Sequence, residues 1–196
     1  MTLWAQYQAR AQGRYSDIRG HLDYICERAR GCEFLCELGV REGNSTIALL
    51  AAIEVTPAAD AGQLWSVDIK PPQVPFSWRK LPFWRFLQAD DLSEQARVFV
   101  PPKLDLLFID TSHSYEHTLD ELRAYGYRVR SGGVILAHDT CWLPGDVESR
   151  LPIGPVSRAL DDWSSESGLE WDNRPGSFGM GVIRVPARWR GKDMVP

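Results

Sequence analysis

Two hydrophobic periods alternate along the chain. Short unbroken apolar runs at residues 34–38, 64–68, 104–110 and 134–137 have the length and continuity of buried parallel strands. Between them apolar residues recur at helical intervals. Ile18, Leu22, Ile25 and Ala29 predict a helix over 17–30, capped by Ser16 and stopped by Gly31. Further helices are predicted over 46–55, ended by Pro57, over 92–100, ended by Pro101 and Pro102, and over 116–129 and 154–165. A weaker strand ends at 87–91. Residues 169–171 and 178–185, separated by Asn173-Arg174-Pro175-Gly176, read as an antiparallel hairpin. Strands alternating with helices predict an α/β fold with a mostly parallel sheet, and 196 residues are enough for one domain with a substantial core.

The ends of the strands carry the chemistry, because the ligand crevice of an open α/β sheet lies outside the carboxyl ends of its strands. The run EFLCELGVREGNSTIALL puts Glu37 near the end of the first strand and Gly39 and Gly43 in the turn after it. A helix follows from Ser45 or Thr46. Glycines at such a turn allow positive φ and let backbone amides approach a ligand closely. The spacing Glu-x-Gly-x-x-x-Gly differs from the Gly-x-Gly-x-x-Gly of dinucleotide enzymes. A carboxylate there suits a cofactor with an amino group and a positive charge better than a pyrophosphate.

With Glu37, Gly39 and Gly43 at matching positions, the stretch resembles the first motif of class I S-adenosylmethionine (SAM)-dependent methyltransferases. The resemblance implies a Rossmann-like, seven-stranded, mostly parallel sheet with helices on both faces and a C-terminal antiparallel hairpin. It makes Glu37, Gly39, Gly43 and Ser45 candidates for holding SAM. Asp68, at the end of the second strand, is placed to accept hydrogen bonds from ribose hydroxyls. In the resembled family an acid near the position of Asp90 lies by the adenine.

The second half supplies a different set. LDLLFID ends in Asp110, followed by Thr111-Ser112-His113, and the strand at 134–137 ends in His138-Asp139. Asp110, also a candidate cofactor contact, and Asp139 can hold a hard divalent ion such as Mg²⁺ through oxygen ligands. The ion would bind a substrate hydroxyl pair and lower the pKa of the hydroxyl to be methylated. His113, with an ordinary pKa of about 6.5, suits a general base at neutral pH.

The run FIDTSHSYEHTLDELRAYGYRVRSGGVILAHDT is similar to a family of small SAM-dependent O-methyltransferases. That family includes the macrocin and mycinamicin sugar O-methyltransferases and the cephalosporin-hydroxylase-like proteins. The resemblance covers roughly residues 16–140. In those sugar methyltransferases the acid ending the fourth strand binds Mg²⁺ and a His three residues later is the base, which implies these roles for Asp110 and His113. Their fifth strand ends in two metal-binding acids, where this chain has His138-Asp139. His138 then ligates the ion, orients the substrate, or points away.

Composition narrows the partners. A net charge of −4 gives no reason to expect nucleic acid, and no 18-residue apolar run exists to span a membrane. Four cysteines without a CxxC pair read as reduced packing residues, and the first 15 residues lack the apolar core of a signal peptide; both point to the cytoplasm. Residues 70–86 are crowded with prolines, aromatics and basic side chains, which suits a lid over a sugar or an interface between two copies of the chain. The N-terminal segment 1–30 is mostly helical scaffold, and Tyr7, Arg10, Arg14 and Tyr15 could cover a cofactor or substrate. The expected function is transfer of a methyl group from SAM to a hydroxyl of a small molecule, a sugar or glycoside foremost. A catechol- or phenol-type methyltransferase is the nearest alternative. A SAM-binding subunit that catalyses nothing itself is the other.

Overall fold

The computed structural model describes residues 1–13, 16–57 and 62–189. The expected covering role of Arg14 and Tyr15, part of the loop after Pro57 and residues 190–196 fall outside these residues. The chain divides into two compact units, Met1–Val100 and Pro101–Pro196.

The first unit contains α1 (Leu3–Gln12), α2 (Leu22–Ala29), β1 (Phe34–Leu38), α3 (Asn44–Val55), β2 (Gln63–Asp68), β3 (Trp84–Gln88) and α4 (Glu94–Phe99). β1, β2 and β3 run parallel, with Leu38 opposite Val67 and Asp68 opposite Gln88. Both α1 and α2 pack on α3. Residues 45–53 of α3 are all buried, which is why that helix is apolar on every side rather than on one stripe.

The second unit contains β4 (Leu104–Ile109), α5 (Tyr115–Tyr125), β5 (Val129–His138), β6 (Trp142–Leu143), β7 (Val147–Glu148), α6 (Pro155–Ser167), β8 (Asp172–Arg174) and β9 (Met180–Arg184). Every residue of β4 is buried, as its unbroken apolar run requires. β4 and β5 are parallel, and β9 lies antiparallel to both β5 and β8. The seven strands run in the order β3-β2-β1 in the first unit and β4-β5-β9-β8 in the second. Among the described residues no helix is long and apolar enough to cross a membrane.

Several elements depart from the sequence reading, among them the hairpin strand expected at 169–171, which forms as β8 over Asp172–Arg174. α1 was not foreseen, since its apolar pattern is weak. Its amides at Leu3 and Trp4 bond the Glu54 carboxylate at 3.1 and 2.8 Å, a partner about fifty residues away along the chain. The helix expected over 17–30 starts as a 3₁₀ turn at Arg19–His21 and becomes α-helical only at Leu22. The strand expected at 134–137 begins at Val129, and Ser131-Gly132-Gly133 form a kink within it rather than a turn before it. Pairing with β4 shifts register between Leu104 and Leu106, and a Cβ on Gly133 would stand 2.7 Å from Asp105 O. The loop expected over 70–86 contains a 3₁₀ turn at Trp78–Lys80 and gives its last residues to β3. There Trp78 and Trp84 are buried, so the proline-rich segment is a packed loop.

Candidate active site

The turn after β1 is shaped from three sides. Gly43 adopts φ +72° directly before α3. Asp68, at the end of β2, accepts from the amides of Val40 at 2.9 Å and Arg41 at 3.0 Å through Oδ2, and from Lys70 N at 2.8 Å through Oδ1. Arg10 of α1 donates to Glu42 O at 2.8 Å and to Asn44 Oδ1 at 2.7 Å. Asp68 thereby holds the turn it was expected to serve as a ribose acceptor. Its carboxylate keeps spare lone pairs, because each oxygen can accept more than one bond.

Glu37 is fully buried, at 0% exposure, and its carboxylate sits in a cage of hydroxyls. Ser45 and Thr46 donate to Oε1 at 2.7 and 2.9 Å, Thr46 also lies 3.0 Å from Oε2, and Ser66 donates to Oε2 at 2.6 Å. Three donors to a buried carboxylate offset the cost of removing its charge from water. Glu37 and Ser45 are thus brought together, and with each other. Asp90 is exposed; its Oδ1 takes the Leu92 amide at 2.9 Å, forming an Asx turn just before α4. Ser66 and Thr46 are the residues that sequence reasoning missed. The one available signal was a serine among the apolar residues of β2.

Ser66 also accepts from Trp84 Nε1 at 2.9 Å, so one hydroxyl serves the buried acid and the buried indole together. Ser66→Ala should lower unfolding free energy by about 1–3 kcal/mol, since both partners stay buried without it. Chemical denaturation checks this, and a change below about 0.5 kcal/mol would contradict the cage.

In the second unit, β4 and β5 deliver two acids and two histidines to one cluster. His113 Nε2 lies 2.9 Å from Asp139 Oδ2 and 3.3 Å from Asp110 Oδ1. His138 Nδ1 lies 3.0 Å from Asp139 Oδ2 and 3.5 Å from Asp110 Oδ1. His138 Nε2 donates to Ser177 O at 2.8 Å, so its other nitrogen meets the carboxylates and needs a proton or cation there. His113 and Asp139 both have positive φ, +54° and +68°, a strained setting for residues with side chains. The Trp142 ring packs edge-on against His113 with centroids 5.5 Å apart.

The charges reinforce one another. Burial alone would push His113 down, but hydrogen bonds and charge from Asp110 and Asp139 raise it to about 9. Burial likewise opposes the charge on His138, yet Asp110 and Asp139 push it well above the ordinary range. Burial would raise both acids; the two histidines reverse that and hold Asp110 and Asp139 low. His113 therefore carries its proton at neutral pH in the ligand-free cluster. Asp110, His113 and Asp139 each offer a donor atom, all within 4.8 Å of one another, and that oxygen-rich set fits a divalent ion. His138 is not one of that three, although the sequence reading had named it with the two acids as a ligand.

Comparison with known proteins identifies the family. The family model described as a methyltransferase domain matches residues 36–140, more than half of the chain. A search of curated protein sequences gave no match. Among solved structures, a Corynebacterium glutamicum protein is 16% identical with a TM-score of 0.66, over 94% of this chain and 89% of its own. The SAH-bound Podospora anserina methyltransferase PaMTH1 is 13% identical with a TM-score of 0.62, over 94% and 88%. The MycE methyltransferase of the mycinamycin pathway, in complex with Mg, SAH and mycinamycin VI, is 17% identical with a TM-score of 0.62. That match covers 99% of this chain and 56% of MycE, so the chain spans little more than half of that enzyme. The chain belongs to the methyltransferase-domain family and is built on the class I SAM-dependent methyltransferase fold.

Proposed function

We propose that the protein transfers a methyl group from SAM to a hydroxyl of a small molecule. The observation that carries this reading is the Asp110–His113–Asp139 cluster, in a chain whose family is that of methyltransferases. In the first unit, the glycines of the turn between Gly39 and Gly43 leave room for the cofactor, and the spare lone pairs of Asp68 accept from its ribose hydroxyls. Ser45 and Glu37 stiffen that turn from beneath, and Asp90 lies by the adenine. In the second unit Asp110 and Asp139, with Nδ1 of His138 beside them, would hold a divalent ion such as Mg²⁺, whose charge would acidify a bound hydroxyl. His113 accepts the hydroxyl proton, and Trp142 fixes the plane of its ring. With a pKa of about 9, His113 must first lose the proton it holds between the two acids.

The two candidate acceptor classes are sugars and catechol-type phenols, since both present vicinal hydroxyls. The sugar reading leaned on the aromatics of residues 70–86, but Trp78 and Trp84 are buried, and Phe76, 70% exposed, already has Lys80 Nζ 5.0 Å from its ring centroid. The structure thus weakens that reason for a glycoside. The mycinamycin complex of a structural neighbour keeps sugar acceptors in the test.

Calorimetric titration with S-adenosylhomocysteine, then with Mg²⁺ in buffers of different ionisation enthalpy, tests both halves. Cofactor binding is expected, followed by release of about one proton per Mg²⁺ near pH 7.5, because a cation on Asp110 and Asp139 cancels the charge that holds the His113 proton. Cofactor binding without any Mg²⁺ response would remove the metal and keep the methyltransferase. Absence of cofactor binding would overturn the whole reading.

A further inference from the structure

A cleft of about 320 Å³ opens in the second unit, lined by Cys141, Glu148, Ser149, Arg150, Pro175 and Gly176. Its walls are tied to the acid–histidine cluster by the backbone. Cys141 follows Asp139 by two residues, and its amide bonds Phe178 O at 2.7 Å. Ser177, beside the Gly176 wall, supplies the carbonyl that holds His138, and Asp139 N bonds Gly179 O at 2.9 Å. On the other side Trp142, next to Cys141, lies against His113.

The charges in the cleft are unequal in availability. Glu148 Oε1 already accepts the Phe178 amide at 2.9 Å. Arg150 lines the cleft, is exposed, and among the described residues pairs with no carboxylate. Leu151 and Ile153 follow it at 63% and 56% exposure, apolar surface next to a free cation. A guanidinium presents a planar fork that matches a carboxylate with two parallel hydrogen bonds.

We propose that this cleft is the acceptor subsite and that it selects hydroxylated acceptors bearing a carboxylate, with Arg150 binding that carboxylate. The inference rests on the methyltransferase reading and adds the acceptor's charge to it. The acceptor's hydroxyls would then be offered to the cluster, while Leu151 and Ile153 flank its apolar body.

The test compares protocatechuate with its neutral amide, and glucuronate with glucose, by calorimetry on protein loaded with S-adenosylhomocysteine and Mg²⁺. In at least one pair the anionic member is expected to bind about tenfold more tightly than its neutral counterpart, as one charge-assisted bidentate contact allows. Arg150→Gln should erase that difference and leave S-adenosylhomocysteine affinity unchanged; the side chain is exposed, so the variant folds. Equal binding of both members in the unaltered protein, a preference that survives Arg150→Gln, or no binding of any probe would each overturn the subsite. If S-adenosylhomocysteine itself fails to bind, the methyltransferase reading falls instead, which keeps the two failures apart.

Discussion

His113→Ala should lower kcat by about 10²–10⁴-fold, the usual contribution of a positioned general base, while S-adenosylhomocysteine affinity stays within about twofold. The asymmetry follows from where the side chain sits. His113 touches Asp110, Asp139 and Trp142, all in the second unit, whereas the turn after β1 is held by Asp68 within the first. Its loss also removes the proton that Asp110 and Asp139 hold, so proton release on adding Mg²⁺ should fall toward that of His138 alone. Single-turnover assays with the acceptor identified by the probe series read the rate, and buffer-dependent calorimetry reads the proton. A variant with unchanged kcat would place the base elsewhere, with His138 next in line.

Gly43→Val should abolish measurable S-adenosylhomocysteine binding, a loss of at least about 100-fold. At Gly43 a Cβ would lie 2.6 Å from Val74 Cγ1 and 2.9 Å from Trp78 Cζ3, and φ is +72°. A β-branched residue in that region costs about 1–3 kcal/mol from backbone strain alone. The collision adds to it by pushing Trp78, whose indole is held by Gln6 at 3.0 Å and stacked under Arg10. Gly31→Ala is the matched control: φ is +73° there, but a Cβ meets nothing within 4 Å. That control should lose about 1 kcal/mol of stability and keep full cofactor affinity. Equal loss of binding in both variants would mean that general destabilisation, and not the shape of the turn, is responsible.

Legibility differed between backbone and side chains. The strand run at Leu104–Ile109, the turn glycines Gly39 and Gly43 and the acids at strand ends were all readable, because burial on both faces writes a strand as an unbroken apolar run and a tight turn demands glycine. α1 was not, since its stability comes from Glu54 and from packing on α3, contacts remote in sequence. Residues 70–83 were readable as a loop from their prolines, but the burial of Trp78 and Trp84, which packs that segment down, was not.

The sequence by itself determined the α/β order and the identity of the chemical groups, Glu37, Asp68, Asp110, His113, His138 and Asp139 among them. Only the tertiary structure decided what each group faces. Glu37 turned inward to three hydroxyls because β2 and α3 bring Ser66, Ser45 and Thr46 around it. Asp68 took up the amides of its neighbouring turn. His113 and His138 came to share Asp139, and that sharing raises their affinity for protons. Periodicity records which residues are buried, whereas hydrogen-bond partners and charge neighbours depend on distances between strands that no spacing along the chain encodes.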